Sequence, residues 1–133
     1  MSGRPAGARA EVALTVLVVD DHDGFRARTR SLLERDRYRV VEAADGVGAI
    51  AQAAAERPDL VLLDVHLPDM TGFEVAAALR RSAGSGGTAR ILLISTHPAH
   101  DYAEQIAGSG ADGFIDKADL SASAIAAMLA ATP

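Results

Sequence analysis

The sequence predicts an α/β domain of the doubly wound kind, (βα)5: a five-stranded parallel sheet with helices on both faces. Three observations predict it. Strand-type and helix-type patterns alternate five times along the 133 residues, and strands separated by helical segments of 10–15 residues read as βαβ units with right-handed crossovers. Several of the strand-type runs are apolar on both faces, as buried parallel strands are. Polar residues stand at or just past the ends of such runs: Asp20 and Asp21, Asp64, Ser95 and Lys117. In an open parallel sheet such strand ends share one rim, where ligands bind.

Taken in order, residues 14–19 form the first predicted strand. A helix over 24–36 follows, with Phe25, Thr29, Leu32 and Leu33 at core spacing. Residues 38–43 make a weaker strand, interrupted by Arg39 and Glu42 and therefore placed at the sheet edge. Asp45 can cap a helix over 46–56 that Arg57-Pro58 stops. The third strand, 60–63, is wholly apolar. After Pro68, Thr71 or Gly72 opens a helix with Phe73, Val75, Ala76 and Leu79 on its core face. Residues 82–88 are rich in Gly and Ser and read as a surface loop. The fourth strand is 91–94. A helix over 99–109 has Tyr102 and Ile106 as its large apolar anchors, and Gly110 ends it. A brief strand, 113–115, precedes a last helix over 121–131, capped by Ser121 or Asp119, with Ile125, Met128 and Leu129 on one face.

Composition narrows the function classes. Apolar residues are 49% of the chain and aromatics 4%, so the core is aliphatic. No apolar run approaches the ~20 residues of a membrane span. Residues 1–12 lack a signal-peptide apolar region and read as a disordered tail ahead of a domain at 13–131. Zero cysteines exclude disulfides and thiolate chemistry, and suit a cytoplasmic chain. A net charge of −5 argues against nucleic-acid binding by this domain, since phosphate backbones need clustered cations. Arginines at 26, 28, 30, 35, 37 and 39 read as a solvated helix face and its exit loop.

At the rim, adjacent acids such as Asp20 and Asp21 would repel each other without a cation. With Asp64 they offer the oxygen ligands that suit Mg²⁺, which usually takes one or two carboxylates plus phosphate oxygens. A carboxylate can also be a nucleophile and form an aspartyl-phosphate. Lys117, the only lysine among 13 Lys and Arg, and the Ser95 hydroxyl could then neutralise and position the phosphoryl oxygens.

Four segments carry a resemblance: Val18-Val19-Asp20-Asp21-His22; the run from Pro58 through Asp64 to Leu67-Pro68-Asp69-Met70-Thr71-Gly72; Ile94-Ser95; and the run from Gly110 through Phe114 to Lys117. Together they closely resemble the receiver domain of bacterial two-component response regulators. The resemblance covers about 14–129 and implies a flavodoxin-like fold with sheet order 2-1-3-4-5. It implies that Asp64 accepts a phosphoryl group from a sensor histidine kinase. Asp20, Asp21, Asp64 and the His66 backbone carbonyl would serve a Mg²⁺ ion. Ser95 and Phe114 match the switch pair that repacks the surface read by partners. His66 and His97 match positions that tune the lifetime of the phosphorylated state. Such a domain catalyses only its own phosphorylation and dephosphorylation. Its output would be a protein partner or a C-terminal domain absent from this chain, and a homodimer is left open. The Ala-Thr-Pro ending reads as the start of a linker.

Some features depart from the family or admit other readings. Ala118 stands where proline usually follows the lysine. Without proline a cis bond costs ~3 kcal/mol, so a trans bond and a different loop path are expected. Ser95 could simply satisfy a backbone group, and Phe114 could be plain core. His22, His66 and His97 with three acids could hold Zn²⁺ or Fe²⁺. Asp69 and Asp116 read as solvated loop acids. Asp21 and Asp23 mimic the start of haloacid-dehalogenase-type phosphatases, although Phe25 stands where that family has Thr. A degenerate receiver, acting as a phosphorylation-independent interaction module, is the remaining alternative.

Overall fold

The computed structural model describes residues 13–83 and 89–130; the predicted tail over 1–12, residues 84–88 of the predicted loop and the end of the last helix lie outside them. The elements are β1 (Thr15–Val19), α1 (Asp23–Arg35), β2 (Arg39–Ala43), α2 (Gly46–Glu56), β3 (Leu60–Asp64), α3 (Gly72–Ala83), β4 (Arg90–Ser95), a 3₁₀ turn (Ala99–Tyr102), α4 (Ala103–Ser109), β5 (Gly113–Asp116), a second 3₁₀ turn (Lys117–Asp119) and α5 (Ala122–Ala130). All strand pairs are parallel and the order is β2-β1-β3-β4-β5. This is the flavodoxin-like arrangement expected from the sequence.

The alternation of β1 explains the two layers. Leu17 and Val19 face one apolar layer with Ala49 of α2 and Val75 and Ala76 of α3; Tyr102 and Ile106 pack against it too. Val16 and Val18 face the other, with Leu33 of α1 and Ile125 of α5. Successive side chains on a strand point to opposite faces, so one run of aliphatic residues supplies both cores. Strands β1 and β3 are buried throughout.

Boundaries differ from expectation where hydrogen bonding overrides hydropathy. Leu14 lies outside β1 and is 43% exposed, and Tyr38 precedes β2. Helix α3 runs on through Ser82 and Ala83, into the stretch read as loop. The helix predicted over 99–109 is divided: a 3₁₀ turn runs to Tyr102, and only Ala103–Ser109 is α-helical. The helix ends follow the sequence. The Asp45 carboxylate accepts from Gly48 N–H at 2.7 Å, Arg57 closes α2 in the left-handed region before Pro58, and Gly110 does the same for α4 with φ 86°. Ser121 Oγ accepts from Ala124 N–H at 3.1 Å, which assigns the last cap to Ser121.

Edge strand β2 carries the polar residues that weakened its pattern, and each has a partner. Glu42 is gripped by Arg26 Nε at 3.0 Å and Arg30 Nη1 at 2.5 Å, while Arg39 pairs with Glu56. Three of the six arginines in that run, Arg26, Arg30 and Arg39, are therefore engaged with acids. The hydrogen bond from Arg30 holds the Glu42 carboxyl below the usual range, and Arg26 adds to it against the opposing effect of burial. A carboxylate held low in the folded state stabilises above its unfolded value, and that contribution is lost as pH falls through the folded one. Glu42→Gln is expected to lower stability at neutral pH by roughly 0.5–1 kcal/mol, the scale of partly exposed pairs. Urea denaturation would show it, with the gap closing in acid.

Candidate functional site

Strand register delivers the site. Val19 of β1 lies beside Leu63 of β3, Asp64 beside Ile94 of β4, and Ser95 beside Asp116 of β5. Asp20 N–H still donates to Ala43 O at 3.1 Å, so the chain leaves β1 under restraint and the Asp20 carboxylate is carried in beside Asp64. Asp20 is fully buried and Asp64 is 4% exposed. Lys117, at the end of β5, puts Nζ 2.6 Å from Asp20 Oδ2 and 3.5 Å from Asp64 Oδ2. Ligand atoms of Asp20, Asp21, His22 and Asp64 all lie within 4.8 Å of one another.

Charge does not balance within this group. Two buried carboxylates share one ammonium, with Asp21 and its partly exposed side chain alongside. Burial pushes the Asp64 carboxyl above the usual range, and the neighbouring Asp20 charge adds to this; Lys117 and the His66 N–H, 3.3 Å from Oδ1, oppose it. Asp20 Oδ2 is buried, and the Lys117 ammonium 2.6 Å away is the one partner it has among the described residues. A compact set of carboxylate oxygens fits a hard divalent cation.

The other sequence-predicted residues are placed as follows. Ser95 is 1% exposed, and its Oγ accepts from His97 N–H at 3.0 Å. The backbone-satisfying role is thus present, and the hydroxyl proton remains to be donated. Phe114 is half-buried and its ring tilts onto Tyr102 with centroids 6.0 Å apart. His66 Nε2 lies 2.8 Å from the Tyr102 hydroxyl, and the His66 and His97 rings meet edge-on at 5.6 Å. Of the three histidines, only His22 reaches the carboxylates, with Nδ1 2.9 Å from Asp20 Oδ1; His66 and His97 stand against Tyr102 instead. Asp23 is 91% exposed and paired with Arg26 at 2.7 Å, so the Asp21/Asp23 pair of the phosphatase alternative is not assembled.

Three features escaped the sequence reading. Asp69 is an exposed loop acid, as expected, but a bonded one: its two oxygens accept from Gly46 N–H at 2.7 Å and Val47 N–H at 2.9 Å, tying the loop after β3 to the start of α2. Those bonds hold its carboxyl below the usual range. Asp116 likewise accepts from Ala118 N–H at 2.9 Å and opens the turn that carries Lys117. Phe25, read only as a core position of α1, lies under the Lys117 ammonium, 4.6 Å from the ring centroid. Asp69 and Asp116 each sit beside a Pro or a turn, a weak signal for capping. Nothing local marks Phe25.

The model of the response regulator receiver domain matches residues 16–129. The chain belongs to that family. It is 31% identical over 119 residues to the DNA-binding transcriptional activator EvgA of Escherichia coli K12, covering 89% of this chain and 57% of that protein. Among solved structures, it superposes on the chemotaxis protein CheY4 of Vibrio cholerae with a TM-score of 0.78 at 31% identity, covering 89% of this chain and 97% of that one. A response regulator from Burkholderia pseudomallei, solved with a phosphorylated aspartic acid and a calcium ion, gives 0.76 at 29% identity over 87% of this chain and 66% of that one. The receiver domain therefore spans about half the length of the curated relatives it matches. It is a phosphoacceptor module of two-component signalling rather than a classical enzyme. No helix among its described residues is long and apolar enough to cross a membrane.

Proposed function

We propose that this receiver domain, taken as residues 13–131, accepts a phosphoryl group on Asp64 from a sensor histidine kinase in the cytoplasm and thereby switches a protein-binding surface. The observation that carries the assignment to Asp64 is its place at the end of β3, beside the fully buried Asp20 and 3.5 Å from the lone lysine. An Asp64 oxygen would attack phosphorus as the bond to the donor breaks, and the donor takes the leaving electron pair. Lys117 would neutralise one phosphoryl oxygen, and the Ser95 hydroxyl, released from His97 N–H, would donate to another. Asp20, Asp21, Asp64 and the His66 carbonyl would hold Mg²⁺, which supplies charge neutralisation for the transferred group. Because burial and Asp20 disfavour the ionised form of Asp64, a cation at this site would also favour the nucleophilic carboxylate.

Ser95 and Phe114 are assigned the switch. When Ser95 turns toward a phosphoryl group, Phe114 can follow inward only by leaving Tyr102, which itself contacts Phe73, His66 and His97. The change would repack the face formed by the 3₁₀ turn, α4, β5 and α5, where a partner protein or an output domain would read it. His66 and His97 are assigned control of water access to the phosphorylated site.

Incubation with acetyl phosphate and Mg²⁺, followed by peptide mapping in the mass spectrometer, tests this reading. One phosphoryl increment on the peptide containing Asp64, lost when EDTA replaces Mg²⁺, is expected. An increment elsewhere, or none, would refute the assignment; repeated turnover of an aryl phosphate would make the chain a phosphatase.

A further inference from the structure

We propose that Phe25 is a positioning residue for Lys117, holding the ammonium at the rim by a cation–π contact; the inference rests on the receiver reading above. Lys117 has a side chain only 12% exposed. Its polar partners among the described residues are Asp20 and Asp64, two of the carboxylates that would engage a divalent ion. Once such a cation sits there, the ammonium loses much of its attraction to them and meets a like charge. The Phe25 ring, 4.6 Å from Nζ, carries no charge for the cation to neutralise. Its negative face attracts the ammonium in every state of the site.

Two further observations make that contact consequential. The Lys117–Ala118 bond is trans, since no cis peptide occurs among the described residues, and Lys117 opens a short 3₁₀ turn in which Ala118 N–H donates to the Asp116 carboxylate and Leu120 N–H to Lys117 O. The backbone thus anchors the base of the side chain and leaves its tip to other groups. Beside it lies an open cleft of about 400 Å³ lined by Phe25, Arg28, Thr29, Thr96, Lys117 and Leu120, into which an unbraced lysine can swing. Phe25 is half-buried and packs from α1 onto the apolar layer containing Val16, Val18 and Ile125.

Replacing Phe25 by mono-, di- and trifluorinated phenylalanine through nonsense-codon suppression tests this, since fluorination weakens the ring quadrupole while nearly conserving its size. Phosphoryl uptake from acetyl phosphate at saturating Mg²⁺ should slow step by step, by roughly 5-fold at three fluorines. Phe25→Tyr should retain the wild-type rate, and Phe25→Leu should lose as much as the trifluoro ring. A second readout needs no phosphoryl donor. As the only lysine in the sequence, Lys117 gives a single ε-methylene resonance in lysine-labelled protein, and its mobility should rise along the same series. Flat rates with unchanged mobility would overturn the brace. Absence of phosphoryl uptake in the wild type, with mobility still rising along the series, would overturn the receiver reading and leave the brace standing.

Discussion

Asp64→Asn is expected to take up no phosphoryl group and at the same time to melt at a higher temperature than the wild type in Mg²⁺-free buffer. The first effect follows from losing the nucleophile: an amide has no anionic oxygen to attack phosphorus. The second follows from the surroundings of the carboxylate. Asp64 is 4% exposed, and burial together with Asp20 raises its carboxyl above the ordinary value of 3.8. A group whose folded value is raised binds more protons in the native state than in the unfolded chain across the interval between the two values. Stability therefore falls as pH rises through that interval, and the charged form is a liability at neutral pH. Asparagine removes the charge and can keep an oxygen for the His66 N–H. The gain should be on the order of 1 kcal/mol, or roughly 3–5 °C in Tm for a chain this size. It should shrink below the unfolded carboxyl value, where Asp64 is neutral in both states, and Mg²⁺ should raise the wild-type Tm more than that of the variant. Equal melting temperatures at neutral pH without Mg²⁺, measured by calorimetry, would contradict the electrostatic account even if phosphoryl uptake were lost.

Gly72→Ala is expected to be nearly as damaging to phosphoryl uptake, although Gly72 carries no chemistry. A Cβ there would sit 2.4 Å from the Asp64 carbonyl oxygen and 3.0 Å from Val65 Cα. Both are backbone atoms, and the chain is held in place: Gly72 N–H donates to Val65 O at 2.7 Å, and Val65 N–H donates to Ile94 O at 3.1 Å. The conflict must be relieved by moving either the end of β3 or the start of α3. Overpacking of this kind costs about 1–3 kcal/mol, visible in urea denaturation. A displacement near 1 Å at a reacting group can cost about 100-fold in rate, so uptake from acetyl phosphate should drop by one to two orders of magnitude while the far-ultraviolet circular dichroism stays native. A wild-type rate in a folded variant would mean that the Asp64 loop is looser than its contacts imply. Alanine at Gly108 provides the control, since nothing lies within 4 Å of a Cβ there.

The two variants act at different levels of the same site. Asp64 is a residue type that chemistry demands, whereas Gly72 is a volume limit imposed by how closely α3 approaches the strand carrying that residue. The capping arrangement strengthens the point. Thr71 and Glu74 satisfy each other's backbone N–H groups at the start of α3, at 2.8 and 3.1 Å, and Asp69 fastens the same loop to α2. These bonds tie the loop after β3 to the starts of α2 and α3.

The amino-acid sequence by itself determined the alternation of elements, the edge position of β2 and the set of rim residues. These are properties of short stretches: aliphatic runs that bury both faces of a strand, and polar side chains standing one or two positions beyond. It could also name Asp20, Asp64 and Lys117 as partners, because parallel topology sends all strand ends to one side. Contacts decided by the angle at which helices settle on the sheet were not legible. Hydropathy could place Phe25 and Tyr102 in the core, but it could not say that one ring would lie beneath an ammonium and the other against His66. Asp69 looked like any loop acid until α2 presented its unpaired N–H groups to it. Such contacts join residues far apart in the chain, and only the packed tertiary structure fixes their distances, because each arises from the meeting of two elements rather than from the pattern of either.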